Sequence, residues 1–250
     1  MSFLSKVFGA RNKISITDYS SVAVDMHSHL IPGIDDGSKT LEESLALIRK
    51  FSDYGYKKLI TTPHIIEGGF DNGPHNILPW LKDLQAAITE AEIPITIEAS
   101  GEYYLDDIFY DKLGKEQLMS FGNNYILFEL PFAFKPHFIT SAVFKLNSAG
   151  YKPILAHPER YTYLHAKTLE HFEEIKNSGL YFQVNIGSII GAYGPSVAQQ
   201  AAMLIDAQMV EFIGSDLHGE KHFRYLEAGK TNEGVYKLVQ SGKLMNATLL

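Results

Sequence analysis

Five histidines and four carboxylates carry the chemistry open to this chain, and each stands where a short apolar segment ends. Asp25-Met-His27-Ser-His29 closes the first such segment, and Asp35-Asp36-Gly37 follows it. Thr61-Thr-Pro-His64, Gly101-Glu102, Phe128-Glu129-Leu130, Ala156-His157-Pro-Glu-Arg160 and Gly214-Ser-Asp216-Leu-His218 close five more. His27 and His29 lie two apart in an extended segment, so their imidazoles fall on one side of the chain. Glu129 sits in an apolar run, where an ionised carboxylate is tolerated only when paired or holding a metal. His64 or His157 taken alone reads as a hydrogen-bonded core histidine. Ligand types at six segment ends read instead as one polynuclear metal site. Nine ligands exceed the four of a tetrahedral zinc site and match two or three ions sharing a bridging carboxylate. Imidazole and carboxylate donors without sulfur suit divalent Mn, Fe or Zn. Metals roughly 3.5–4 Å apart can activate a bridging water and clamp the oxygens of a phosphoryl group.

Such a site needs a scaffold that brings the segment ends together. Val22–Asp25, Leu59–Thr62, Thr96–Ala99, Tyr125–Glu129, Pro153–Ala156, Tyr181–Asn185 and Glu211–Gly214 read as strands, being short, apolar and bounded by Gly, Pro or polar residues. Helices are predicted near 40–54, 76–91, 138–149, 168–178 and 196–207. Thr40-Leu-Glu-Glu43 has the form of a capping box at the first of them, and Gly55 suits its end. The stretch 103–120 is less periodic. Alternating strands and helices predict a parallel α/β fold, either a barrel or an open doubly wound sheet. An open sheet gathers ligands near one switch point, whereas a barrel collects them from nearly every strand end. The ligand distribution favours a barrel; only the strand ending at Asn185 contributes no strong ligand.

The chain has 250 residues, 45% hydrophobic and 20% charged, which suits one large domain. The absence of cysteine excludes a disulfide scaffold, a Cys-based zinc ribbon and a thiol nucleophile. A net charge of −7, with no Lys/Arg cluster beside the motifs, argues against nucleic acid as partner. No apolar run approaches the roughly 18 residues of a membrane span. Residues 1–20 read as an N-terminal extension, with apolar side chains at 3, 4, 7 and 8 and basic ones at 6, 11 and 13. That pattern fits an arm packed on its own domain, and 21–250 read as a single domain.

The ordered segments DMHSHLIPGIDDG, TTPH, GE, FEL, AHPER and GSDLH resemble the PHP (polymerase and histidinol phosphatase) superfamily over about residues 22–220. The match is closest to its bacterial manganese-dependent protein tyrosine phosphatases of capsular and exopolysaccharide biosynthesis. The resemblance implies a distorted TIM-like (β/α)7 barrel with its metal site at the C-terminal strand ends. It implies three divalent ions, Mn before Fe or Zn. His27, His29, Glu102 and Asp216 would hold the first, Glu102, Glu129 and His157 the second, and Asp36, His64 and His218 the third. Asp36 rather than Asp35 is assigned because it precedes the glycine. The implied reaction is attack of a metal-held hydroxide on phosphotyrosine of a membrane-anchored bacterial tyrosine kinase, carried out in the cytoplasm.

Arg160 is the candidate for bidentate phosphate binding. Arg224 is a second candidate, and His218 could donate a proton if not committed to metal. Tyr103, Phe132 and Phe134, with Tyr104 and Tyr161, could flank a substrate ring. Gly68-Gly-Phe-Asp-Asn-Gly-Pro74 reads as a mobile flap. The alternative is a small-molecule phosphatase such as histidinol phosphatase. A PHP exonuclease would require a basic groove, and a non-catalytic binding partner should have lost ligands that are all present here.

Overall fold

A computed structural model describes residues 14–250; the apolar and basic positions 3–13 of the predicted arm lie outside the described residues. The strands are β1 (Val24–Asp25), β2 (Lys58–Thr61), β3 (His64–Ile65), β4 (Thr96–Ala99), β5 (Glu102–Tyr104), β6 (Tyr125–Glu129), β7 (Lys152–Ala156), β8 (Tyr181–Asn185) and β9 (Phe212–Gly214). All of them pair in parallel, in the orders β1-β2-β4 and β3-β5-β6-β7-β8-β9.

The strands read at Leu59–Thr62 and Thr96–Ala99 correspond to β2 and β4, and each is followed by a short strand, β3 or β5, that the sequence did not reveal. Pro63 has no N–H to donate, so β2 stops before it and β3 resumes at His64. Gly101 separates β4 from β5, and a Cβ there would lie 2.2 Å from Ile65 Cδ1. The ladder still crosses both breaks, through Ser100 N–H to the Thr61 carbonyl and Glu102 N–H to the Pro63 carbonyl, each at 3.0 Å. Beyond β1 and β9, Asp216 N–H donates to the His27 carbonyl (2.8 Å) and His29 N–H to the Leu217 carbonyl (2.9 Å). The ladders therefore define two parallel sheets of an α/β fold rather than one uninterrupted barrel.

Helices α1 (Leu41–Asp53), α2 (Pro74–Glu90), α3 (Asp107–Lys112), α4 (Ile139–Ser148), α5 (Glu170–Lys176), α6 (Ile186–Ile189) and α7 (Pro195–Asp206) connect the strands. The Thr40 hydroxyl caps α1 by accepting from Glu43 N–H (3.2 Å), but the Glu43 carboxylate reaches Lys39 N–H instead of Thr40 N–H. The capping box is thus shifted by one residue on its return half. The weak periodicity of 103–120 reflects a mixture, β5 followed by the short α3 capped by Asp106. Helices α8 (Phe223–Gly229) and α9 (Glu233–Gln240) follow the last strand and are not foreseen by the sequence reading. Tyr19, assigned by the sequence to the N-terminal extension, is fully buried; it stacks on Tyr56 and donates to the Leu226 carbonyl at 2.7 Å.

Side chains alternate across the strands, and the two faces divide the labour. Ile126, Phe128, Leu155, Phe182, Val184 and Ile213 join the larger core cluster, which packs the strands on the helices. Leu127, Ile154, Ala156 and Phe212 point the other way into a smaller apolar cluster with Val24, Met26 and Ile60. Glu129 follows Leu127 on this second face, and Gln183 and Asn185 occupy it on β8. The strands run from an apolar floor to a polar mouth.

Candidate metal centre

All nine ligand candidates lie at this mouth. They fall into overlapping groups, His29/Asp36/His64/His218, His27/His29/Asp216, His27/Glu102/His157 and His64/Glu102/Glu129, with donor atoms inside each group within 4.8 Å of one another. His27, His29, Glu102, Glu129, His157 and Asp216 are buried, while His64, His218 and the exposed Asp36 form the rim. Glu102 is the hub. Its Oε2 lies 3.3 Å from His27 Nε2, 3.6 Å from His29 Nε2 and 3.1 Å from His64 Nδ1, and its Oε1 lies 3.0 Å from His157 Nε2. Asp216 Oδ1 approaches His27 Nε2 (3.4 Å), His29 Nε2 (3.6 Å) and His218 Nδ1 (3.5 Å). Asp36 Oδ1 lies 3.2 Å from His218 Nε2 and 3.6 Å from His64 Nε2. His64 also reaches Glu129 at 3.2 Å, so it belongs to two groups where the sequence assigned it to one.

Local backbone geometry aims these groups. His157 (φ 35°) and Asp216 (φ 49°) both adopt left-handed conformations, which non-glycine residues rarely do outside constrained sites. Ala156 already faces the interior, and the left-handed turn at His157 brings the next side chain into the same mouth. Supporting side chains then fix the rings. Asp35 is not in any ligand group; its Oδ2 binds His29 Nδ1 (2.8 Å) and its Oδ1 accepts from Gly37 N–H (2.9 Å). Asp25 accepts from both the N–H and hydroxyl of Ser215, at 2.8 and 2.9 Å.

The electrostatics call for positive charge at the centre. Burial disfavours charge on His27, yet Glu102 and Asp216 outweigh it and push the ring up to about 10. Burial is likewise overcome at His64, where Glu102 and Glu129 push it up to about 11. His157 goes the other way, lowered by burial to about 4. Glu102, although buried, is held well below the carboxylate range by His27, His157 and His64. Glu129 is raised by burial and by the like charge of Glu102. His27 Nε2, His29 Nε2, His64 Nδ1, His157 Nδ1 and Glu102 Oε2 are buried without a hydrogen-bond partner. Buried polar atoms are rarely left unpaired, and here they cluster among sulfur-free donors of the kind divalent cations take. The residues present therefore fit a metal centre.

The cavity above is lined by Asp36, His64, Glu102, Glu129, Phe132, His157, Arg160, Tyr193, Asp216, His218 and His222, with a volume of about 400 Å³. Arg160 donates to Asp216 Oδ2 at 2.9 Å, and its guanidinium packs over the Phe132 and Tyr193 rings, 5.0 and 4.5 Å from their centroids. Phe132 also stacks on His157.

Three substrate candidates sit elsewhere. Tyr103 alternates with Glu102 along β5, so it points into the core, stacked on Phe109, with its hydroxyl accepting from Met119 N–H. Phe134 is 61% exposed and does not line the cavity. Arg224 is exposed on α8, packs over Tyr225 and does not line the cavity either. Tyr161 is also core, its hydroxyl accepting from Leu130 N–H. His218 approaches the Asp216 carbonyl with Nδ1 (3.0 Å) and faces Asp36 with Nε2 (3.2 Å). The 68–74 loop is anchored: Asn72 Nδ2 donates to the carbonyls of Ile34 (3.0 Å) and His64 (2.8 Å), and Phe70 stacks on His64. Tyr193 and His222 line the mouth without having been foreseen; they come from a turn and from a short 3-10 helix (Glu220–His222) whose spacing carries no motif. Histidine 222 accepts from His218 N–H at Nδ1 (3.0 Å), so a neutral ring carries its proton on Nε2.

A parallel α/β fold with a buried imidazole–carboxylate centre at the strand ends defines a class of metal-binding proteins. Within that class, the chain belongs to the capsular polysaccharide synthesis family CpsB/CapC, which matches residues 23–244. It is 28% identical over 218 residues to the tyrosine-protein phosphatase YwqE of Bacillus subtilis, covering 86% of this chain and 83% of that protein. It is 30% identical over 204 residues to the tyrosine-protein phosphatase CpsB of Streptococcus agalactiae, covering 78% and 82%. In structure it is similar to a chain from the crystal structures of YwqE from B. subtilis and CpsB from Streptococcus pneumoniae, described as unique metal-dependent tyrosine phosphatases. That match has a TM-score of 0.74 at 26% identity and covers 88% of this chain and 87% of the other. Among the described residues, no helix is long and apolar enough to cross a membrane.

Proposed function

We propose that this protein is a metal-dependent protein tyrosine phosphatase of capsular or exopolysaccharide biosynthesis, acting in the cytoplasm on a phosphorylated, membrane-anchored tyrosine kinase. The observation that carries this reading is the cluster of unpartnered buried donors beneath an arginine-lined cavity. The site takes three divalent ions, with manganese first. His27, His29, Glu102 and Asp216 hold one, Glu102, Glu129 and His157 a second, and Asp36, His64 and His218 a third. Bound ions supply the Lewis acidity that activates water and neutralises phosphoryl oxygens.

The chain's own residues do the rest. Arg160 offers its planar fork to phosphate oxygens, and the Phe132 and Tyr193 rings pack against its guanidinium. Phe132, 45% exposed at the rim, presents ring surface to a phenyl group. A phenolate has a conjugate-acid pKa near 10, so it departs with little help from a general acid. The bonds between residues 27–29 and 216–217 support reading the two sheets as one distorted seven-unit barrel whose strand ends ring the site.

The test is kcat/KM with manganese for a phosphotyrosyl peptide against histidinol phosphate. We expect a preference for the peptide of roughly 100-fold or more, on the scale of a lost phenyl-ring contact plus a poorer leaving group. Equal rates, or a preference for histidinol phosphate, would overturn the reading.

A further inference from the structure

Strand β8 brings no ligand to the mouth, yet two of its buried side chains connect two ligands. Gln183 and Asn185 lie two apart on the inner face and are fully buried. His27 Nδ1 is 2.8 Å from Gln183 Oε1, Gln183 Nε2 donates to Asn185 Oδ1 at 2.8 Å, and Asn185 Nδ2 donates to Asp216 Oδ2 at 2.7 Å. Asp216 Oδ1 returns to within 3.4 Å of His27 Nε2, so the four residues form a ring around one edge of the centre.

The direction of this ring follows from donor and acceptor chemistry. Asp216 accepts from Arg160 as a carboxylate and can only accept again, so Asn185 must present its NH2. The Asn185 oxygen then needs a donor, which fixes the Gln183 NH2 towards it. The Gln183 oxygen is left facing His27, so Nδ1 must carry hydrogen. The lone pair of the neutral ring then lies on Nε2, the atom that faces Glu102 and Asp216. Reversing any one amide would set two donors or two acceptors against each other.

Neighbouring residues hold the ring in place. Asn185 N–H donates to the buried Glu159 carboxylate at 3.0 Å, which fixes the strand end. Gly214, paired with Asn185 in the β8–β9 register, leaves the space the amide needs: a Cβ there would lie 2.7 Å from Gln183 Nε2 and 2.9 Å from His27 Cβ.

We propose that Gln183 and Asn185 are positioning residues whose hydrogen-bonded chain fixes the orientation of the His27 ring relative to the Asp216 carboxylate, presenting Nε2 and Asp216 together to one metal ion. The proposal rests on His27 and Asp216 being metal ligands and is independent of which phosphate ester is hydrolysed. Partners of this kind typically alter metal affinity by roughly 10- to 100-fold.

The experiment uses the full chain, stripped of metal and titrated with zinc, with binding followed by calorimetry and the histidine rings by long-range proton–nitrogen spectra. In the unmodified protein, zinc should engage His27 at Nε2 while Nδ1 keeps its proton. Asn185→Ala does not touch His27, yet should disturb its Nδ1 proton signal and weaken one zinc by roughly 10- to 100-fold, leaving the others unchanged. Gln183→Glu preserves volume and, measured at a pH where its carboxylate is ionised, keeps the acceptor for His27 but has no donor for Asn185; it should weaken the same zinc by roughly 10- to 100-fold while keeping the Nδ1 proton. Unchanged zinc affinities in both variants, or an unaltered His27 signal in Asn185→Ala, would overturn the proposal. Should Asn185→Ala not fold, the isosteric Gln183→Glu decides alone, and wild-type affinity there refutes the circuit. If the unmodified protein binds zinc without His27, the metal-centre reading itself fails, which the wild-type spectrum reports separately.

Discussion

At the amino-terminal ends of the strands, Asn246 is fully buried and its amide is paired throughout. Its Nδ2 donates to the carbonyls of Val24 (2.9 Å) and Ile213 (2.8 Å), and its Oδ1 accepts from Ile213 N–H (3.0 Å). Nearby, the buried Lys58 ammonium meets the Leu249 carbonyl at 2.7 Å and Glu98 at 2.9 Å. At the carboxyl ends the polar groups are equally buried, but five donor or acceptor atoms of His27, His29, His64, His157 and Glu102 have no hydrogen-bond partner. The same strands thus satisfy their polar groups at one end and aim them at a common point at the other. Burial of polarity is a stability device at the floor and a binding device at the mouth.

Substitutions at the two ends should separate these roles. The largest effect is expected for Asp216→Ala, which removes a contact to Arg160, Asn185 and three histidines; kcat/KM on a phosphotyrosyl peptide should fall by ~100- to 1,000-fold or more. A variant with near-wild-type turnover would remove Asp216 from the site. Asn246→Ala should instead cost roughly 2–4 kcal/mol of stability by stranding three backbone groups, read as a lower denaturant midpoint. Its kcat/KM, measured well below its melting temperature, should stay within about twofold of wild type. If it lost activity as Asp216→Ala does, the division between floor and mouth would collapse.

Next comes Arg160→Lys, which keeps the charge but loses the planar fork packed against Phe132 and Tyr193. It should lower kcat/KM by about tenfold, whereas Arg224→Lys, outside the cavity, should leave it unchanged. The smallest effect is on protons. With His27 pushed up to about 10 and His64 to about 11, both rings are protonated at pH 7 in the metal-free protein, and a ligand nitrogen must give its proton up. Metal loading at pH 7 should therefore release protons, affinity should weaken as pH falls, and the release should fade above about 11. Calorimetry in two buffers of different ionisation enthalpy reads this directly; identical heats would contradict it.

The ligand positions were legible because each strand is short and apolar, so that a histidine or carboxylate at its end stands out. The supporting residues were less visible, although β8 carried a hint: Gln183 and Asn185 alternate with Phe182 and Val184 in a strand that has no other reason to be polar. Tyr103 was misplaced at the rim because its neighbour Glu102 faces the mouth, and period-two alternation then sends Tyr103 into the core. Strands β3 and β5 were missed because Pro63 and Gly101 end the apolar runs before them, although ladder bonds carry the pairing across both breaks. Tyr193 and His222 reach the cavity from a turn and a single 3-10 turn, too short for any periodicity to mark which way a side chain points.

The unpartnered donors at the mouth are expected to hold a cluster of divalent ions. Anomalous scattering from crystals of the manganese-loaded protein tests it most directly. Three peaks are expected inside the mouth, the first among His27, His29, Glu102 and Asp216, the second beside Glu129 and His157, the third beside Asp36, His64 and His218. An active, manganese-loaded protein with no anomalous peak within coordination distance of Glu102 and Asp216 would contradict it.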